Sequence, residues 1–433
     1  MTVDRRNQAV RAAVEQGLLS EDRPVAALLD AAGIRASAAA LRDAFAAVTD
    51  APVLHAFAVK AAPLVPVLAL LNAEGIGAEV ASPGELALAR AAGVPPGRTV
   101  LDSPAKTPGE LREALALGIA VNADNPQELA RIDALAREGT SAPLGLRVNP
   151  QVGGGAIGAL STATATSKFG VALRDEGAWR RVVRAYLDRP WLTRIHVHSG
   201  SQGIPLERMA EGVAEVHRLA EEINAAAGRR QVDTLDIGGG LPVNFASDAH
   251  TPAFADYAAL LKERVPGLFD GGYGLVTEFG RALVAKHGIL LARVEYTKES
   301  GGRPIAVTHA GVQVATRTVY DPASWPLRIE VYDGHGRPRT GRPVVQDIAG
   351  PACFAGDLLA ESRPLPRVAA GDVVTALDTG AYFFANHFGY NSLPRPAIHG
   401  FGADPARFTL VRPAQSVEEI VTESGGARAD ALL

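Results

Sequence analysis

Residues 53–82 read VLHAFAVKAAPLVPVLALLNAEGIGAEVAS: an apolar run ending on Lys60, a proline-led apolar segment of helical length, and a second apolar run carrying Glu79 and closing on Ser82. Read as strand, helix and strand, the stretch is one parallel βα unit. The same pattern recurs outward from it. Strand-like runs fall at 53–60, 75–82, 98–103 (RTVLDS), 119–124 (IAVNAD), 144–150 (LGLRVNP), 194–200 (RIHVHSG), 232–239 (VDTLDIGG) and 273–280 (YGLVTEFG). Between them lie amphipathic stretches such as PGELALARAAGV, NPQELARIDALAREG and PLERMAEGVAEVHRLAEEINAAAG, with Pro, Asn or Ser near their starts and Gly near their ends. Eight alternating units in roughly 250 residues are the arithmetic of a (β/α)8 TIM-type barrel, which places its chemistry at the C-terminal ends of the strands.

After about residue 285 the runs become rich in Val, Ile, Thr and Tyr and are separated by GGRP, DGHGRPRTGRP and ESRPLPRVAAGD, as in a mainly antiparallel β domain. The expected organisation is an N-terminal extension over 1–35, whose RPVAALLD segment adds a strand to the β domain, a barrel over 36–285, and the β domain over 286–433. The aperiodic stretch QVGGGAIGALSTATATSKFG after the fifth strand reads as a mobile loop over the barrel mouth.

The chain has 433 residues, with 43 basic and 47 acidic side chains, and no block of like charge that would track a phosphate backbone, so nucleic acid is not an expected partner. No apolar run approaches the ~20 residues that span a bilayer, and the N-terminal MTVDRRNQAV lacks a secretory apolar core, so a cytoplasmic protein is expected. The single cysteine, Cys353, excludes an intrachain disulfide and a cysteine-rich metal site.

The strand ends carry complementary polar groups: Lys60, Glu79 with Ser82, Arg147, His198 with Ser201, the run Gly238-Gly239-Gly240, and Glu278 with Arg281. A lysine ending an apolar strand is more often a snorkelling surface group. Seven strand ends converging on one mouth favour instead a desolvated amine able to form an imine with an aldehyde cofactor. Three glycines after TLDI let backbone amides approach a phosphate, and Ser201 and Arg281 strengthen that reading over a plain turn. His198 is read as an imidazole against a flat ring, with a hydrogen-bonded core histidine as the bland alternative. Glu278 ends an apolar strand, where a carboxylate needs a partner such as a protonated pyridine nitrogen.

These residues lead to a family. HAFAVKAAP resembles the Tyr-Ala-Val-Lys-Ala-Asn signature of the diaminopimelate and ornithine decarboxylases, fold-type III pyridoxal-phosphate enzymes related to alanine racemase; RVNP, SKFG, HVHSGSQ, DIGGGLP, EFGR, GPACFAGD, GAYFF and YNSLPRP follow in the family's order. The resemblance implies pyridoxal 5'-phosphate on Lys60, His198 stacked on its ring, and Ser201, Gly238, Gly239, Gly240, Arg281 and Tyr382 on its phosphate. It further implies Glu278 at the ring nitrogen and Arg147 with Glu79 as a supporting charged pair. Cys353 matches a catalytic cysteine that enters the neighbouring subunit's site, which implies a homodimer with shared active sites. The implied reaction is α-decarboxylation of an amino acid through an external aldimine and a quinonoid. Glu278, where a racemase of this fold has arginine, favours decarboxylation over racemisation or epimerisation.

The substrate pocket departs from the family. Phe354 follows Cys353 where diaminopimelate decarboxylases have Glu and ornithine decarboxylases Asp, while Arg317 and Asp321 align with residues that bind a distal carboxylate and a distal amine. Together they leave a pocket of altered specificity, with Tyr382 beside it. Two rival classes are a metal-dependent barrel hydrolase, suggested by the His196 and His198 HxH pair, and a non-catalytic cofactor-binding barrel, which the C-terminal domain disfavours.

Overall fold

The computed structural model describes residues 1–136 and 140–433, so the last three residues of the helix expected over 125–139 lie outside the described residues. The chain divides into two compact units, one formed by residues 35–244 and 250–283, the other by 1–34, 245–249 and 284–433.

In the second of these, strand β1 (Val25–Asp30) is the RPVAALLD segment. In the first, β2 (Val53–Ala58), β3 (Gly77–Val80), β4 (Thr99–Leu101), β5 (Ala120–Ala123), β6 (Leu144–Asn149), β7 (Val171–Ala172), β8 (Leu192–His196), β9 (Thr234–Asp236) and β10 (Gly274–Thr277) form one parallel sheet. Apart from the short β7, which adds to β6, the strands close through β5–β6 and β10–β2 pairing into an eight-stranded barrel. Strands β3, β5 and β6 are buried along their whole length, because helices cover the outer face while side chains fill the interior. The helices are bounded by short-range chemistry. Thr107 and Glu110 form a capping box before Pro108–Leu117, and Gly118 ends that helix in the left-handed region at φ 71°.

The strands are shorter than their apolar runs because the chain leaves the ladder at its C-terminal ends to present side chains. Beyond Ala58 the backbone turns through a single 3-10 turn, Val59–Ala61, that carries Lys60. Beyond Asp236 positive φ at Gly238 (66°) and Gly240 (103°) ends pairing. The stretch after β6 differs from the mobile loop expected of it. It is tethered to the turn after β8, where Ala156 N donates to Gly203 O at 2.9 Å and Ser201 N to Leu160 O at 3.1 Å. Small residues there permit close backbone approach rather than freedom: a Cβ on Gly155 would lie 2.4 Å from Gly203 O.

The other unit continues with β11 (Gly288–Ser300), β12 (Arg303–Thr308), β13 (Ile329–Tyr332), β14 (Pro343–Ala349), β15 (Leu358–Pro366), β16 (Val373–Ala376), β17 (Ala397–Phe401) and β18 (Phe408–Arg412). Its path runs β15-β14-β12-β11-β1-β17-β18, with β16 joining β11 to β13. Pairing is mainly antiparallel; β1–β17 and β12–β14 are parallel. β1 pairs with the long β11 from Val25 opposite Ala292. Ala9, Val10, Leu28, Leu291, Tyr332 and Phe401 share a buried cluster that anchors the N-terminal helix to this sheet. No helix among the described residues is long and apolar enough to cross a membrane.

Candidate active site

Four barrel strands deliver four acids to one region. Glu79 lies on β3, Asp102 directly after β4, Asp236 ends β9 and Glu278 follows β10; each is at least 93% buried. Burying carboxylates together in a low-dielectric interior is unfavourable unless cations answer them, and the cations present account for the geometry. Lys60 Nζ donates to Glu79 Oε2, while the rest of the lysine side chain stays 46% exposed. Arg147 Nη1 donates to Asp102 Oδ2 at 3.1 Å, and its guanidinium lies 4.3 Å from the centroid of Phe169. His196, fully buried, sits between two acids: Nδ1 is 3.2 Å from Asp102 Oδ1 and Nε2 is 3.5 Å from Glu278 Oε2.

The protonation tendencies follow. Burial raises Asp102, but His196 and Arg147 outweigh it and hold the acid well below the usual carboxylate range. Burial, reinforced by Asp236, Glu79 and Asp102, pushes Glu278 well above that range despite Lys60. Glu79 is also raised by burial, with Lys60 opposing. Glu278 Oε1 and Glu79 Oε1 are buried with no hydrogen-bond partner among the described residues. Such a mouth is short of one cationic donor, which a protonated ring nitrogen supplies.

His198 is held differently from His196. Its Nδ1 accepts from Gly239 N at 3.1 Å, so the ring proton resides on Nε2. Enclosure by protein, then the charges of Arg147 and Lys60, pushes its pKa well down, which keeps the ring neutral. The two histidines of the HxH therefore serve separate partners instead of converging as two ligands; the compact acid–imidazole group is Asp102, His196 and Glu278.

The glycine turn is a place where side chains cannot enter. A Cβ on Gly239 would meet Glu278 O at 2.1 Å and one on Gly240 would meet Gly200 O at 2.0 Å. Two of its amides are already engaged, Gly238 N with Asp236 Oδ1 at 3.1 Å and Gly239 N with His198 Nδ1. The Gly240 amide donates to nothing among the described residues. Ser201 is half-buried in the adjoining turn, and Arg281, buried, opens the short helix Arg281–Val284.

One pairing needs correction. Arg147 and Glu79 were the expected supporting pair, yet Arg147 bonds Asp102 and Glu79 bonds Lys60. The reason is register: Asp102 sits just past the strand between those of Glu79 and Asn122, close enough to Arg147 to capture it. Asp102 and its link through His196 to Glu278 escaped the sequence reading. The signal was present, an acid at the end of the third strand run beside a histidine two residues before His198.

In the other unit, the loop carrying Cys353 is fixed from below by Asp357, which accepts from Val312 N and Ala352 N, each at 2.7 Å. Cys353 is exposed, and its amide donates to Asn391 Oδ1 at 2.8 Å. Phe354 stacks on Tyr320 with centroids 5.9 Å apart and meets Tyr390 edge-on at 5.7 Å; Phe388 stacks on Tyr390 and meets Tyr320 edge-on, closing a ring of four aromatics. The Arg317 guanidinium lies between the rings of Tyr382 (4.5 Å) and Trp325 (5.0 Å), and its buried Nη1 has no acceptor among the described residues. Asp321 is exposed and no ion pair joins it to Arg317 among the described residues; its Oδ1 accepts from Ser324 N at 3.3 Å.

Comparison with known proteins gives a consistent result. The profile described as pyridoxal-dependent decarboxylase, pyridoxal binding domain, matches residues 31–285. The chain is 35% identical to a diaminopimelate decarboxylase of Pseudomonas aeruginosa over 370 residues, covering 84% of this chain and 85% of the relative. Among solved structures, the diaminopimelate decarboxylase of Helicobacter pylori complexed with L-lysine superposes with a TM-score of 0.81 at 25% identity, covering 93% of this chain and 97% of the other. A lysine/ornithine decarboxylase of Vibrio vulnificus complexed with cadaverine does so at 0.74 and 26%, covering 90% and 97%.

Proposed function

The chain belongs to the pyridoxal-dependent decarboxylase family, and from that premise we propose that Lys60 is the residue carrying the cofactor and that the enzyme acts on an amino acid without a distal ammonium group. The family assigns a pyridoxal-phosphate-dependent carboxy-lyase of amino acids. The observation that carries the site assignment is the Lys60 amine resting on buried Glu79, in a mouth where Glu79 Oε1 and Glu278 Oε1 are buried without a hydrogen-bond partner among the described residues.

When bound, pyridoxal phosphate supplies an electron sink for the pair left as carbon dioxide departs. The protein's part is orientation and proton control. Glu278 would face the ring nitrogen, and a proton on that nitrogen would offset the crowding that raises the acid. Neutral His198 offers a flat face without adding charge, and Gly240 N, Ser201 and Arg281 bind the phosphate end. Glu79 receives the Lys60 ammonium when substrate takes its place, keeping the amine near the reacting carbon to move a proton. Cys353 acts from the partner subunit in a homodimer with shared sites, its loop held rigid by Asp357. A cytoplasmic setting suits a lone exposed thiol.

Substrate choice rests on Phe354. Its ring is committed to three other aromatics, so the position provides no acceptor for a distal ammonium, whereas Arg317 keeps an unmet donor. Both halves of the reading are testable. Borohydride reduction followed by peptide mapping is expected to place the pyridoxyl group on Lys60; label on another lysine rejects the assignment. Carbon dioxide release is then measured for diaminopimelate, ornithine, lysine and large apolar amino acids, with the last group expected to turn over fastest; fastest turnover of diaminopimelate rejects the altered pocket.

A further inference from the structure

Between Arg147 and Glu278 runs a continuous chain of polar side chains that the reaction as described does not use. Arg147 bonds one oxygen of Asp102; the other oxygen faces His196 Nδ1 at 3.2 Å, and His196 Nε2 faces Glu278 Oε2 at 3.5 Å. His196 is completely buried, and neither of its contacts is aligned as a hydrogen bond, so both ring nitrogens remain unsatisfied in this arrangement. A buried imidazole whose two nitrogens face two acids is placed to be oriented by one of them and to meet the other. Burial and the charges of Asp236, Glu79 and Asp102 work against an ionised Glu278, while Lys60 works for it. That amine is the group that loses its ammonium when it carries an aldehyde. Glu278 then has one favourable charge fewer against its crowding by acids.

We infer that Asp102 and His196 form a positioning relay behind Glu278: Asp102, anchored by Arg147, orients the imidazole, which presents its Nε2 proton to Glu278 and keeps that carboxylate charged and aimed at the cofactor's ring nitrogen. Neither residue touches the reacting atoms. The inference rests on the proposed seating of the cofactor on Lys60. It goes beyond that reading by assigning the ring nitrogen's proton to a four-residue array drawn from β4, β6, β8 and β10, rather than to Glu278 alone.

The test uses holoenzyme loaded with pyridoxal phosphate isotopically labelled at the ring nitrogen, and compares wild type with Glu278→Gln, His196→Leu, His196→Gln and Asp102→Asn. Borohydride mapping to Lys60 in each variant is the entry condition, since label elsewhere overturns the site reading itself. With the cofactor on Lys60, the ring-nitrogen resonance is expected at the protonated position in wild type and at the unprotonated position in Glu278→Gln. It should move most of the way in His196→Leu and part of the way in Asp102→Asn. His196→Gln, whose amide can still donate, should return towards wild type. kcat should fall about 10- to 100-fold in His196→Leu with little change in KM, the usual scale for a group that orients another. A wild-type resonance in His196→Leu overturns the relay while leaving the Lys60 assignment standing. If His196→Leu does not fold, the comparison of Asp102→Asn with His196→Gln decides: equal, unshifted resonances overturn it.

Discussion

The barrel mouth and the Cys353 loop are built on opposite principles. The mouth gathers buried acids, with Glu278 Oε1 and Glu79 Oε1 left without partners, so its charges are poised for something that is not protein. The loop gathers rings that satisfy one another: Phe354, Tyr320, Tyr390 and Phe388 alternate stacked and edge-on contacts, while Tyr320 remains 61% exposed. An unsatisfied polar cluster dictates chemistry, because few groups answer it. A self-satisfied aromatic cluster dictates only shape and polarity. On the proposed reading, the reaction type is written in the barrel and the choice of substrate in the β unit.

The largest test of that division contrasts two lysines of the barrel. Lys106 is almost wholly buried and donates to Ser103 O, Asn122 O and Glu128 at 2.6, 2.7 and 3.1 Å, so all of its donors are spent on structure. Lys60 is far more exposed, 46% along its side chain, and its amine pairs with Glu79. Lys60→Ala is expected to lower kcat about 10³-fold or more, with the melting temperature nearly unchanged, because it removes a proton-transferring group as well as the cofactor's anchor. Lys106→Met should do the reverse. Breaking a buried pair costs about 3–5 kcal/mol, read in denaturant unfolding, while borohydride label still goes to Lys60. Equal stability losses in the two variants would erase the distinction.

The fold was legible because each of its signals is local. Apolar runs, proline-led helices and a glycine such as Gly118 past a helix end are decided within a few residues, and eight repetitions leave little choice of architecture. Lys60, Glu278 and the glycine turn were visible as anomalies too, since a charge or a glycine run at the end of an apolar strand is unusual in its own window. Asp102 was not. Its importance lies in reaching both Arg147 and His196, which come from β6 and β8, and no single stretch of sequence reports that adjacency. The tethering of residues 151–170 was hidden for the same reason, because backbone hydrogen bonds to 198–203 leave no mark on composition.

Acid offers a second probe of the barrel. His55 on β2 is buried and its Nδ1 lies 2.8 Å from Thr277 Oγ1 on β10, joining the two strands that precede Lys60 and Glu278. Burial, then the charge of Arg42, lowers its pKa to about 4 from the usual 6.5 of a free imidazole. The unfolded chain therefore binds this proton first as pH falls, and stability is lost between about 6.5 and 4, by roughly 3 kcal/mol in all. Urea unfolding across that window should show the slope, and His55→Gln should flatten it. An unchanged slope in the variant would assign the acid sensitivity elsewhere.

A smaller effect tests whether the aromatic loop needs its anchor. Asp357→Ala leaves the amides of Val312 and Ala352 without their acceptor and should destabilise the protein by about 1–3 kcal/mol. Burial raises the Asp357 pKa, and the two amides only partly restore it. Carbon dioxide release should fall further than stability does if the loop positions Cys353. Loss of stability with wild-type kcat would make Asp357 a scaffold residue and nothing more.

The smallest effect concerns specificity, where the two regions are predicted to separate cleanly. Phe354→Glu puts a carboxylate where the ring stood, next to Tyr320 and Tyr390, whose hydroxyls can help to solvate it. An ammonium at the end of a substrate side chain would gain a charge-assisted hydrogen bond worth about 1.5–3 kcal/mol, or roughly 10- to 150-fold in kcat/KM. Part of that gain is offset, because breaking two ring contacts loosens the cluster by about 0.5–1.5 kcal/mol per pair. The net expectation is therefore about 0–1 kcal/mol, up to roughly fivefold better turnover of diaminopimelate or lysine and a comparable loss for large apolar amino acids. The lysine-bound cofactor's absorbance should not change, since no residue of the mouth is altered. A change in that absorbance would mean that the loop also tunes the chemistry. Efficient turnover of diaminopimelate by the wild type, unimproved in Phe354→Glu, would move the determinant of specificity away from this position, with Arg317 and its unmet Nη1 next to be varied.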